Sequence, residues 1–323
     1  MTTVPVLDIG GTHVTGGLVD LETGAPTVAD RNTVALDGSA TAEEILAGLA
    51  ACANRVGAGP GTVWGVAVPG PFDYASGIAR FGVGKFDALA GADLRQALLD
   101  RIGPRPADVR FLNDAVAFGL GAWATGAGHR PPRILAITLG TGVGSCFLDN
   151  GIPVYDGPAV PPNGEAYRLL IDDRPLEETV SRRAIMARYA ALSGDHGPDV
   201  AEIAARARAA EPAAAEALDV TFGALGEALA PWIRRFGAGA VVVGGAMTGS
   251  WDVIGPRLIA GLRRAGCTLG ETDVEPAADT ESAALIGAAV HVAPMPPRRV
   301  IMPTLAEYAD AAPVNGCAGS GRE

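Results

Sequence analysis

The chain has 323 residues, 48% of them hydrophobic, which is enough to bury two cores more readily than one. Lys and Arg number 25 against 36 Asp and Glu, a formal net charge of -11 that repels a phosphate backbone and argues against a nucleic-acid partner. Cys52, Cys146, Cys267 and Cys317 stand far apart with no CxxC pair, so neither a disulfide framework nor a thiolate zinc site is indicated. The amino terminus has no basic region before an apolar stretch, and no uncharged apolar run is long enough to cross a bilayer. A soluble cytoplasmic protein without a membrane partner is expected.

In chain order, the apolar run Val6-Leu7 with Asp8-Ile9 leads into Gly10-Gly11-Thr12, and a second run through Gly16-Gly17-Leu18-Val19 turns at Asp20, near Gly24. This reads as strand, glycine turn, strand. Residues 41–56 have helical apolar spacing, with Thr41 and Glu44 set for a capping box. Residues 63–68 read as a buried strand ending at Pro69-Gly70-Pro71, and residues 109–112 as another ending at Asn113-Asp114. About 130 residues after the first hairpin its pattern returns: Ile134 through Leu139, a Gly140-Thr141-Gly142 tip, a second strand, and a turn at Asp149-Asn150-Gly151. Further on, residues 176–191 have helical character, residues 200–236 read as one or two long helices, and residues 240–243 as a strand stopped by Gly244-Gly245. Helical stretches follow at 251–265 and 281–290. The alternation predicts α/β lobes. Residues 294–323 read as a poorly ordered tail.

Glycine-rich turns let backbone N–H groups approach and converge on phosphate. Gly10-Gly11-Thr12 and Gly140-Thr141-Gly142 both qualify. A single such turn is weak evidence, whereas two matched copies in one chain are much stronger. No GxxxxGK[ST] sequence occurs and the second turn lacks GxGxxG spacing, so a split nucleotide site between two lobes is expected. Asp8 ends an apolar strand just before the first turn, where a carboxylate can hold hydrated Mg²⁺ against nucleotide phosphates or, more simply, cap the turn. Asp114 stands at a strand-to-helix junction, where it can accept a hydroxyl proton during phosphoryl transfer or serve as the helix N-cap. Asn113 beside it can take the capping role.

Six ordered motifs then point to a family. Asp8-Ile9-Gly10-Gly11-Thr12, Pro69-Gly70-Pro71, Leu112-Asn113-Asp114-Ala115, Leu139-Gly140-Thr141-Gly142-Val143-Gly144, Val243-Gly244-Gly245 and Leu285-Ile286-Gly287-Ala288-Ala289 resemble the signatures of the ROK family of bacterial sugar kinases and repressors, over residues 4–292. The resemblance implies a duplicated actin/hexokinase-like (ribonuclease H-like) two-lobed α/β fold with ATP and sugar in the interlobe cleft. The expected division is a small lobe at 1–115, completed by a helix at 281–292, and a large lobe at 116–280. By the same resemblance Asp114 matches the catalytic base and Asn113, Glu165 and Glu177 match sugar-hydroxyl ligands. Gly10, Gly11, Thr12, Thr141 and Gly142 match phosphate-side positions, with Asp8 holding Mg²⁺ through water, and Gly244 and Gly245 match the turn flanking adenosine. A homodimer is also implied.

The departures from the family pattern fall on the sugar side. Gly164-Glu165-Ala166-Tyr167-Arg168 puts arginine where the family's Gly-Glu-Ile-Gly-His segment has histidine, and no zinc cysteines follow, so no structural zinc is expected. Gly82-Val83-Gly84-Lys85-Phe86 replaces the family's Asn before Gly-Trp. Glucose is the default acceptor, with an aminosugar of the kanosamine type or a C7-cyclitol as the alternative. A non-catalytic sugar-sensing regulator is a further alternative, although the family's repressors carry a helix-turn-helix ahead of the kinase-like region and Asp8 stands close to the start. A polyphosphate donor would want a basic groove. Lys85 is the only lysine, so ATP is the expected donor.

Overall fold

The computed structural model describes residues 3–22, 26–82, 84–126, 131–268 and 272–293. Gly24, Val83, Cys317 and the expected tail at 294–323 lie outside the described residues. The first sheet is built from β1 (Thr3–Ile9), β2 (His13–Asp20), β3 (Thr27–Ala35) and β4 (Val63–Val68), with helix α1 (Ala42–Ala53) between β3 and β4. A short hairpin, β5 (Phe72–Asp73) and β6 (Ile78–Ala79), and helix α2 (Leu94–Arg101) precede its last strand, β7 (Asp108–Asn113). Helix α3 (Asp114–Thr125) leads into the second half. There β8 (Arg133–Leu139), β9 (Val143–Asp149), β10 (Ile152–Pro153), β13 (Ala240–Gly244) and β14 (Asp273–Pro276) form the second sheet. Between β10 and β13 come a two-strand ribbon, β11 (Leu170–Ile171) and β12 (Arg174–Pro175), and helices α4 (Glu177–Val180), α5 (Arg182–Ser193), α6 (Val200–Arg208) and α7 (Pro212–Phe236). Helix α8 (Trp251–Arg264) precedes β14, and α9 (Thr280–Val292) follows it.

The two sheets share one topology. Their strand orders are β3-β2-β1-β4-β7 and β10-β9-β8-β13-β14, each a three-stranded antiparallel meander extended by two parallel strands. The duplication expected from the two glycine-tipped hairpins is therefore a duplication of whole sheets. Buried strands such as β13, Ala-Val-Val-Val-Gly with every residue inside, are apolar throughout because both faces are covered.

Helices α3 and α9 cross each other between the sheets. Although α3 follows the first sheet, it packs on β8 and β9 of the second, while α9 follows the second and packs on β1 and β4 of the first. The crossing demands glycine. A Cβ on Gly121 would stand 1.7 Å from the Ala283 carbonyl oxygen, and one on Gly287 would stand 1.7 Å from that of Ala117. Gly65 of β4 likewise admits the backbone of Ala288.

Two expected helical regions are broken where local chemistry says they should be. Residues 176–191 divide at Ser181, whose extended backbone (ψ 157°) and side chain cap α5. Residues 200–236 divide at Ala210 (φ 62°), just before Glu211-Pro212, with Pro at the first helical position of α7. At residues 172–173 a tight Asp172-Asp173 turn, both residues with positive φ, joins β11 to β12. Leu176 beyond it is fully buried in the second-lobe core.

Candidate active site

The junction between β7 and α3 divides two jobs between neighbours. Asn113 is the N-cap: its Oδ1 accepts from the N–H groups of Ala115 (3.0 Å) and Val116 (3.3 Å). Its Nδ2 donates to the Tyr74 hydroxyl at 3.1 Å, and Tyr74 in turn donates to the Val68 carbonyl at 3.4 Å. Asp114, relieved of the main capping task, accepts from the Ala115 N–H at 2.9 Å. Burial raises its pKa against the lowering effect of that backbone bond. A carboxylate with a raised proton affinity at a helix start is suited to accept a hydroxyl proton.

Asp8, at the end of β1, is raised to about 7, first by burial and then by the charge of Asp114. The two carboxylates therefore face a common space. The neighbouring turn is closed by the Gly10 N–H, which donates to the His13 carbonyl at 2.9 Å, and its Thr12 carbonyl accepts from the Leu36 N–H at 2.8 Å. The second turn is one residue shorter, with the Gly140 N–H donating to the Gly142 carbonyl at 3.1 Å. A Cβ on Gly140 would meet nothing within 4 Å, leaving that side of the turn open.

Glu165 is presented by a loop held to β9. Ser145 Oγ donates to the Gly164 carbonyl at 2.6 Å and accepts from the Ala166 N–H at 2.8 Å, while Asn163 and Gly164 both take positive φ. Arg168, the residue at the family's histidine position, sets its Nε 2.6 Å from Glu165 Oε2 and stacks over the Tyr167 ring. Glu165, Tyr155 and Asp114 are all close enough to Tyr74 to raise its pKa electrostatically, after the larger effect of burial. Side chains from both halves of the chain thus meet around Tyr74. Glu177 lies elsewhere on the site: its carboxylate stands 3.1 Å from the Cβ position of Gly142, against the second glycine turn.

Gly244 and Gly245 have steric reasons to be glycine that need no ligand. A Cβ on Gly244 would collide with the Phe118 ring at 2.5 Å, and Gly245 (φ 93°) lies against the Leu139 backbone. Three residues that sequence reasoning did not place in the site are Tyr74, Tyr155 and Ser145. Tyr74 lies 39 residues from its partner Asn113, and no motif signals it.

The donor set around the first turn suits a hard divalent cation. Asp8 offers oxygen only, and a second carboxylate nearby adds negative potential that a cation relieves. Among the described residues no group of three or more His, Cys, Asp or Glu forms a direct metal cage, so Mg²⁺ there would keep waters and share the phosphates of a donor. No helix among the described residues is long and apolar enough to cross a membrane.

Comparison with known proteins places these features in context. Residues 5–161 match the model of the ROK family. Polyphosphate glucokinase of Mycobacterium tuberculosis is 31% identical over 174 residues, 53% of this chain and 60% of that protein, so the chain spans less than two thirds of the curated relative it matches. Among solved structures, a ROK family glucokinase from Streptomyces griseus in complex with glucose and AMPPNP superposes with a TM-score of 0.69 at 23% identity, covering 89% of this chain and 98% of that one. Inorganic polyphosphate/ATP-glucomannokinase from Arthrobacter gives a TM-score of 0.63 at 26% identity, over 91% and 99%. The chain is thus similar to the ROK family over residues 5–161 and shares the fold of ROK kinases over about nine-tenths of its length.

Proposed function

We propose that the chain is an ATP-dependent sugar kinase that phosphorylates a primary hydroxyl of a hexose-like ring, with Asp114 as general base. The observation that carries this reading is the coupling of Asp8 with Asp114 beside a glycine turn, with Tyr74 near both Asp114 and Glu165 and a second glycine turn on the matching hairpin of the other sheet. Phosphoryl transfer asks mainly for positioning and charge stabilisation, and these parts supply both. Mg²⁺ supplies the charge that offsets the donor phosphates. Asp114 orients the acceptor hydroxyl and takes its proton, Asn113 and Glu165 hold the ring, and Gly10, Gly11, Thr12, Thr141 and Gly142 line the phosphates. Glu177 remains in the proposal as a sugar ligand that closure of the lobes would bring round from Gly142. Gly244 and Gly245 flank the nucleoside. The lobes that close are residues 1–115 with the 281–292 helix, and residues 116–280; a homodimer in the cytoplasm completes the reading.

Two observations favour variants of it. The Arg168–Glu165 pair ties up the acidic ligand and supports an acceptor other than plain glucose, such as an aminosugar or C7-cyclitol. The relatives named for polyphosphate support an inorganic donor beside ATP. Phosphorus-31 NMR of a reaction with Mg-ATP and each acceptor tests the reading: a new primary phosphate ester is expected, and ATP recovered unchanged with every acceptor would overturn it.

A further inference from the structure

The only lysine of the chain sits on the first glycine turn. A Cβ built on Gly11 would stand 2.7 Å from both Cδ and Nζ of Lys85, so glycine at position 11 is what lets this ammonium reach the turn. Gly38, in the loop after β3, forms the other wall: its own Cβ position lies 3.0 Å from Lys85 Cβ and 3.3 Å from the Gly11 carbonyl.

The segment carrying Lys85 is anchored on both sides. Phe86 is buried, takes a left-handed backbone (φ 67°), and donates its N–H to the Gly38 carbonyl at 2.7 Å. Asp87 Oδ2 accepts from the Gly84 N–H at 3.0 Å, so the nearest acid in sequence is engaged by the backbone. Asp37, on the facing loop, is engaged by the Ser39 N–H (2.9 Å) and Oγ (2.6 Å). Among the described residues no carboxylate pairs with Lys85. An exposed cation with no carboxylate partner among the described residues, in a chain of net charge -11, held over a glycine turn, is arranged for an anion that arrives from solution.

We propose that Lys85 grips the terminal phosphates of a linear phosphoanhydride donor over the Gly10-Gly11-Thr12 turn and so sets donor affinity. The proposal rests on the kinase reading above. The shared chemistry is a chain of phosphates, supplied by a nucleoside triphosphate or by inorganic polyphosphate. One flexible, strongly hydrated ammonium suits either, since it acts as a point charge and not as a shaped fork.

Lys85→Met keeps the stem that packs on Gly38 and removes the charge, while Lys85→Arg restores charge. Steady-state kinetics with Mg-ATP and, separately, with inorganic tripolyphosphate should show the donor KM rising roughly tenfold or more in Lys85→Met. The acceptor KM should hold, the salt dependence of donor KM should weaken, and Lys85→Arg should recover most of the loss. The arm with the larger effect names the donor. In parallel, reductive methylation with formaldehyde labels one side-chain amine in this chain, and either donor, but not sugar alone, should slow labelling of Lys85. Unchanged donor KM and unprotected labelling in an active enzyme would overturn the Lys85 assignment alone. Failure of wild-type protein to bind or turn over either donor would overturn both it and the kinase reading.

Discussion

The carboxylates of Asp8 and Asp114 lie close enough across the floor of the site that the charge on one raises the proton affinity of the other, on top of the larger effect of burial. Asp8 ends β1 and Asp114 begins α3, so the relationship is fixed by the parallel pairing of β1 with β4 and of β4 with β7. It has a consequence for stability. Folding moves Asp8 from its ordinary 3.8 to about 7 and so favours its protonated form. The contribution is complete below the unfolded value and is lost as pH rises through about 7. Metal-free wild-type protein should lose thermal stability over that window, and Asp8→Asn should flatten the slope. Parallel melting curves for the two proteins would refute the Asp8 shift.

Removing the base should be costly in rate and mild in binding. Asp114→Ala is expected to lower kcat by roughly 10² to 10⁴, the range that general-base removal typically costs, with nucleotide affinity changed little. Because burial raises the Asp114 pKa, the acid limb of kcat/KM should lie above the usual carboxylate range. A pH–rate profile with its acid limb near 4 would count against that environment.

The bond between Tyr74 and Asn113 predicts a positioning effect. Tyr74→Phe leaves the Asn113 amide without its 3.1 Å partner and should raise acceptor KM by several-fold, in line with about 1 kcal/mol for one hydrogen bond. Donor KM should stay put. An equal rise in both would show a general disturbance of the cleft instead.

The crossing of α3 and α9 is predicted to be intolerant of any side chain. Gly121→Ala would set a methyl 1.7 Å from the Ala283 carbonyl, forcing the helices apart at a cost of about 3 kcal/mol or more. Gly140→Ala, whose added methyl meets nothing within 4 Å, is the matched control. Chemical denaturation that ranks the two variants equal would contradict the packing.

Where the sequence was informative, the chemistry was local. Thr41 and Glu44 announce α1, and both halves of the capping box form. Asn113 and Asp114 announce the β7–α3 junction by the residue types that helix starts require. The two glycine-tipped hairpins announce a duplication. The missed features depend on distance along the chain or on weak patterning. Strand β3 is an edge strand, largely solvent-facing and polar, with no strong apolar alternation. Helix α2 is short and buries only Leu94 and Leu98. Tyr74 and Lys85 reach the site from irregular segments, where no periodicity says which way a side chain points. The scarcity of lysine argued against a phosphate groove until the fold set that lysine on Gly11.

The most direct test is an ADP-release assay with Mg-ATP against glucose, mannose, N-acetylglucosamine, an aminoglucose and a C7-cyclitol, run beside Asp114→Ala. Turnover on at least one acceptor, lowered by roughly a hundredfold or more in the variant, is the predicted result. Full activity in Asp114→Ala, or no phosphoryl transfer to any of the five acceptors, would contradict a kinase with Asp114 at its centre.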